Sequence, residues 1–119
     1  MPREWEEHWP ISDGDGRAVE KDETDPEWLT LSDERRRAID RIGNLTLVTS
    51  NFNGSVSNHG WCLKRPEFEK QKSLVINYGV AQADSWNEAA IAERARDLAA
   101  ATARLWPAPE TLLSPERDA

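Results

Sequence analysis

Leu45-Thr46-Leu47-Val48-Thr49 is the one stretch of this chain that reads as a β-strand, and polar turn residues bound it on both sides, Gly43-Asn44 before and Ser50-Asn51 after. So short a run, rich in Leu, Val and Thr, falls below helix length and suits a buried strand with Leu45 and Leu47 on one face. The other periodic stretches are helical, so the expected fold class is mainly α with a small β element. Asparagines gather around the strand at positions 44, 51, 53 and 58. Such side chains serve turns and caps, and their amide oxygens also complete the shell of hard divalent cations such as Mg²⁺. From spacing alone the turn reading is the simpler one: Asn44 precedes a strand, Asn51 and Asn53 fall in a first helical turn, and Asn58 closes it.

The remaining pattern divides into helices and loops. Residues 3 to 9 place Trp5 and Trp9 four apart, a short helical turn stopped by Pro10. Ser12 to Pro26 carries many acids and no period, and reads as a surface loop. Glu27 to Ile42 returns to a helical pattern, with Trp28, Leu31, Arg35, Ala38, Ile39 and Ile42 near one face and Gly43 placed to end it. Ser50 is positioned to cap a brief helix running toward Asn58. A further helix starts near Trp61 or Pro66 and carries Phe68, Leu74 and Ile76 toward Tyr78, before a loop from Gly79 to Asp84. The last helix is the clearest: Ser85-Trp86-Asn87-Glu88 has the form of a capping box, and Ile91, Ala95, Leu98, Ala101 and Leu105 follow at spacings of three or four until Pro107. The tail from Ala108 to Ala119 reads as disordered.

A chain of 119 residues suits one domain, and six tryptophans supply a large buried area from few positions. The net charge of -7 argues against a protein that holds DNA by itself, because sequence-independent affinity comes from neutralising phosphates with Lys and Arg. The acids concentrate before residue 35, whereas Lys64, Arg65, Lys70 and Lys72 form a later basic cluster. The single cysteine, Cys62, excludes an intramolecular disulfide and a cysteine-based zinc cluster, and reads as a small half-buried side chain in a cytoplasmic protein. No run approaches the ~18 to 20 apolar residues of a membrane span. The opening residues also lack the apolar core of a signal peptide. His8 and His59 read as packed or solvated, and Asp13-Gly14-Asp15-Gly16 as an acidic turn out of register with a calcium loop. Lys64 and Arg65 suit either a phosphate contact or a solvated helix face.

The run Gly43 to Thr49, then Asn53, Ser57-Asn58, Trp61 and Lys64-Arg65, resembles the carboxy-terminal domain of GmrSD-type modification-dependent restriction endonucleases, a domain of the HNH or His-Me finger nucleases. The likeness extends to Met1 through Trp5 and His8-Trp9-Pro10 at the start, and to Trp86, Ile91, Arg94, Leu98 and Trp106-Pro107 in the closing helix. It spans residues 1 to 107 as one nuclease-like domain, with 108 to 119 as a tail.

That resemblance implies an incomplete ββα-metal finger packed on helices. By the same likeness Asn44 takes the catalytic-motif position that steadies the finger and its base, and Asn53 that of the metal ligand at the start of the finger helix. Asn58, Lys64 and Arg65 resemble positions that meet DNA or shape the finger around it. The implied cofactor is Mg²⁺ or another divalent cation, the implied substrate is DNA, and an upstream domain or partner subunit supplies recognition, with no membrane involved. An acidic residue followed by the general-base histidine is expected directly upstream of the Met1-Pro2 step, and His8 does not align with it. Loss of a general base typically costs about 10² to 10⁴ in rate, so the chain as written is expected to be a poor nuclease or none. Two readings stay open: a nuclease-type domain of a restriction or phage-defence system, or a non-enzymatic remnant or interaction module of the same fold.

Overall fold

The computed structural model describes residues 1–48, 59–71 and 74–109. Within them the chain forms two short strands, β1 (Ile11–Ser12) and β2 (Ala18–Val19), and four α-helices. These are α1 (Pro26–Ile39), α2 (Trp61–Lys70), α3 (Tyr78–Gln82) and α4 (Glu88–Leu105), with 3₁₀ turns at Ile42–Asn44 and Val75–Asn77. The domain is thus mainly helical with one small sheet. That sheet lies where the sequence suggested only a loop.

The expected helical turn near the start is present: the Trp9 amide donates to the Trp5 carbonyl at 2.9 Å, and both rings are buried. The acidic stretch after it folds into an antiparallel hairpin, with Ile11 opposite Val19 and Ser12 opposite Ala18. Asp13 closes the hairpin by accepting at Oδ1 from the Asp15 and Arg17 amides, each at 2.9 Å. Gly16 supplies the left-handed φ of +79° that the turn needs. Strands of two residues leave no alternation to detect, so the hairpin is invisible to periodicity.

Asp25 caps α1 by accepting from the Glu27 amide at 3.0 Å, and Pro26 takes the first helical position, where its missing N–H costs nothing. The helix presents Trp28, Ser32, Arg35, Ala38 and Ile39 to the core. It ends at Ile39 with Asp40 as the C-cap rather than continuing to Ile42, whose side chain is exposed. Gly43 is not the helix stop that its place in the sequence suggests. A Cβ built there would lie 1.9 Å from the Ile91 carbonyl oxygen, so glycine is required by the contact between the 3₁₀ turn and α4.

Leu45 is extended (φ -105°, ψ 142°), but among the described residues Leu45–Val48 pairs with no strand. Leu45 and Leu47 are exposed rather than buried, which corrects the expectation of a core strand. The single helix expected from Trp61 to Tyr78 is likewise divided. It stops at Lys70 after accommodating Pro66, and Tyr78–Gln82 is helical instead of looped. Cys62 is exposed, not half-buried. The capping box also shifts: Asn87, not Ser85, caps α4 by accepting from the Ala90 amide at 2.9 Å. Starting the helix at Glu88 leaves Trp86 free to turn into the core. The brief helix expected after Ser50 and the tail beyond 109 lie outside the described residues.

Trp5, Trp9, Trp28 and Trp86 build the core with Ile11, Ala38, Ile39, Val80 and Ile91. Trp61 packs on it from α2, stacked against Trp86 at 5.5 Å and tilted toward Phe68 at 5.9 Å. Arg35 is only 3% exposed in this setting. Its guanidinium forks onto Glu88 at 2.5 and 3.1 Å, donates to the Trp9 carbonyl, and lies 5.1 Å from the Trp5 ring. A buried charge persists only when it is paired and hydrogen-bonded in this way.

Candidate functional site

Asn44 closes the Ile42–Asn44 turn, where its amide donates to the Arg41 carbonyl at 2.9 Å. Its side chain then gathers three separate parts of the chain. Oδ1 accepts from the Met1 α-amine at 2.6 Å and from the Trp86 indole at 3.0 Å. Nδ2 donates to the Met1 carbonyl at 2.8 Å and the Ile39 carbonyl at 2.9 Å. An indole N–H only donates and a carbonyl only accepts, so these partners fix which way the amide points. Both lone pairs and both N–H groups are taken. Asn44 is therefore a bracket between residue 1, the end of α1 and the core tryptophan just ahead of α4, with nothing left to offer a metal or a substrate.

Positive charge collects beside that bracket. The Met1 α-amine is pushed down to about 5 from its ordinary 8.0, first by burial and then by the neighbouring Lys64 and Arg35 cations. Lys64, half-buried on α2, holds its Nζ 5.8 Å from the centre of the Trp9 ring and forms no ion pair among the described residues. Burial lowers its pKa as well. Arg65, its neighbour, is committed elsewhere: Nε donates to the Ala81 carbonyl and Nη1 to Asp84, both at 3.2 Å. The basic pair thus splits into a cation with no ion pair among the described residues and one that ties α2 to α3 and to the loop after it.

Asn53 and Asn58 lie outside the described residues. His8 and His59 are exposed, and His59 contributes its carbonyl, which accepts from the Trp9 indole at 3.1 Å. Among the described residues no group of three His, Cys, Asp or Glu is placed to hold a metal ion. A hard divalent cation takes about six or more oxygen ligands. Here the Asn44 oxygen is saturated, and Glu88 is bound to Arg35. The described residues by themselves do not fit such an ion.

Asn77, which the sequence did not single out, and Arg94, which it offered only as part of the family likeness and without a role, hold the chain leading away from Asn44. Asn77, fully buried, accepts from the Thr46 hydroxyl at 2.5 Å and donates to the Leu47 carbonyl at 2.9 Å and the Gln71 carbonyl at 3.2 Å. Arg94, on α4, donates through Nη1 to the Gly43 carbonyl at 2.9 Å and the Leu45 carbonyl at 2.6 Å, and through Nη2 to the Ile76 carbonyl at 3.3 Å. Spacing carries no sign of either role. Both depend on which backbone the tertiary fold brings near.

No curated protein and no solved structure matches the chain. Residues 1–101 match the family model described as GmrSD restriction endonucleases, C-terminal domain. That match takes in the Asn44 turn, Lys64, Asn77 and Arg94, and by it the chain belongs to the family of GmrSD restriction endonuclease C-terminal domains.

Proposed function

We propose that this domain serves metal-dependent hydrolysis of DNA phosphodiester bonds in a restriction system, and that these 119 residues form the holding half of the site. The observation that carries the reading is the position of Lys64. In a chain of net charge -7, this half-buried cation has no ion pair among the described residues and lies beside the point where Asn44 fastens the backbone of residue 1. Lys64 meets a phosphate of the DNA, Arg65 keeps α2 in place for that contact, and Asn58 takes the family position that shapes the finger around the DNA. Asn44 works by fixing backbone, the steadying role implied by the family resemblance. Asn53 would hold Mg²⁺ or a similar cation, which would supply stabilisation of negative charge there. The general-base histidine belongs directly before the Met1-Pro2 step, and neither His8 nor His59 takes its place. Recognition of the DNA belongs to another domain or subunit, in keeping with the acidic surface of this one.

Nicking of supercoiled plasmid with Mg²⁺ or Mn²⁺ tests the reading. The 119-residue chain is expected to leave the plasmid intact. The same chain preceded by a short strand ending in an acidic residue and histidine is expected to nick it. That activity falls at least about tenfold in Lys64→Ala, in line with loss of one charged transition-state contact, and disappears in Asn53→Ala. An inert extended chain would favour a non-enzymatic module of the same fold. Nicking by the unextended chain, abolished by Asn53→Ala, would instead place the base within these residues.

A further inference from the structure

We infer that Arg94, assisted by Asn77, is a positioning residue that sets the register of the Asn44 turn and the extended segment after it, doing with side chains what a neighbouring strand does in a sheet. This rests on the reading of Asn44 as the bracket of the site.

In extended chain, alternate residues direct their backbone groups to the same edge, and a paired strand ordinarily satisfies them. Leu45, whose backbone is extended, and Leu47 stand two residues apart. Their carbonyls are taken by Arg94 at 2.6 Å and Asn77 at 2.9 Å. Arg94 reaches further, binding the Gly43 and Leu45 carbonyls with one nitrogen and the Ile76 carbonyl with the other. Those first two carbonyls belong to the residues immediately before and after Asn44. A guanidinium that grips both neighbours of a residue fixes where that residue's side chain begins. The third contact fastens the assembly to the Val75–Asn77 turn, where Asn77 takes over and holds Thr46 and Leu47.

Arg94 spends its charge on neutral carbonyls and forms no ion pair among the described residues. A planar fork with several fixed donors spans carbonyls from two segments, whereas an ammonium keeps the charge but loses the geometry. Arg94→Lys therefore separates charge from fork. The Trp86 indole reports the outcome, because its N–H ends on Asn44 Oδ1. The Trp9 indole, which ends on the His59 carbonyl, is the internal reference.

Amide and indole hydrogen exchange followed by NMR on the 119-residue protein tests the clamp. Arg94→Lys is expected to speed exchange of the Asn44 and Leu45 amides and the Trp86 indole by about tenfold or more, with the Trp9 indole unchanged, as local rather than global opening. Thr46→Val, which removes the donor to Asn77, gives the same local pattern at smaller amplitude. Arg96→Lys, on the exposed side of α4, gives none. A rise spread equally over all the indoles, or no rise in either clamp variant, overturns the inference. In the extended, histidine-bearing chain, Arg94→Lys is expected to lower kcat with KM unchanged, and an unchanged kcat also overturns it. Should the extended chain prove inert without any substitution, the nuclease reading falls, while the exchange pattern still decides the clamp.

Discussion

The two ends of the Asn44 bracket are held by different physics. On one side, Trp5, Trp9, Trp28 and Trp86 are buried in one core, and order comes from apolar area removed from water. On the other, Leu45 and Leu47 remain in solvent, and the backbone between them is held by directed hydrogen bonds from Arg94 and Asn77. Burial is non-directional and tolerates small adjustments, whereas a carbonyl clamp fixes position with little apolar burial. A site that must present a backbone segment in one register, without a sheet to hold it, gains more from the clamp.

The largest test of this contrast is a matched pair of truncations. Trp28→Ala removes a buried indole and is expected to cost about 3 to 5 kcal/mol of unfolding free energy, measured by urea denaturation. Leu47→Ala, at a side chain 68% exposed, is expected to stay within about 0.5 kcal/mol. A comparable loss from both would mean that the second region is packed like the first. Gly43→Ala attacks the seam between the regions. Its Cβ meets the Ile91 carbonyl at 1.9 Å, and because both partners are backbone the clash is relieved only by parting the turn from α4. A loss of about 1 to 3 kcal/mol is expected, together with a shifted Trp86 indole resonance.

Legibility in the sequence divides along the same line. The helical face of α1 is readable because burial imposes a 3.6-residue period over several positions, and Trp28, Ala38 and Ile39 fall where that period puts them, whereas in α4 only Ile91 of the expected face is buried and Leu105 is exposed. Local chemistry is less reliable. Ser85 and Glu88 have capping-box spacing, yet Asn87 caps α4 and Glu88 serves Arg35, because tertiary demand for both Trp86 and Arg35 moves the helix start. Gly43 looks like punctuation and is instead a steric requirement set by a residue far along the chain. Asn44 is singled out by the family resemblance. Its four-way bonding is not readable from neighbours, because three of its bonds, two to Met1 and one to Trp86, reach more than forty positions away. Asn77 carries no periodic or motif signal, and Arg94 enters only through the family likeness, which gives it no role, since a side chain that binds carbonyls is defined by the fold around it.

Proton linkage probes the cationic edge of the bracket. The folded chain holds the Met1 amine near 5, against an ordinary 8.0, so between those values the unfolded chain binds the extra proton. Stability therefore rises with pH across that window, and the burial penalty is felt in full below it. The complete shift would correspond to at most about 4 kcal/mol, and solvent relaxation around a partly buried group reduces the expected gain to roughly 1 to 2 kcal/mol. Urea midpoints at pH 5 and pH 8 measure it. Lys64→Met removes one of the neighbouring cations and is expected to flatten the slope, and an unaltered slope would detach Lys64 from the bracket.

The smallest expected effect sharpens the comparison most, because it sets two arginines side by side. Arg37 reaches Asp33 at 2.7 Å one helical turn away, a full ion pair on an exposed face of α1. Arg94 meets only neutral carbonyls, at 2.6 to 3.3 Å. Formal charge would rank Arg37 as the stronger anchor. Solvation reverses that order, because exposed ion pairs give back most of their Coulomb energy to water and salt, while bonds from a charged donor at a half-buried site retain about 1.5 to 3 kcal/mol. Arg94→Lys is accordingly expected to cost about 1 to 2 kcal/mol with little salt dependence. Arg37→Ala costs under about 0.5 kcal/mol, a difference that fades as ionic strength rises. If Arg37→Ala proved the more damaging, at low and high salt alike, the second region would owe its order to ordinary surface electrostatics, and the carbonyl clamp would lose its place as what distinguishes it.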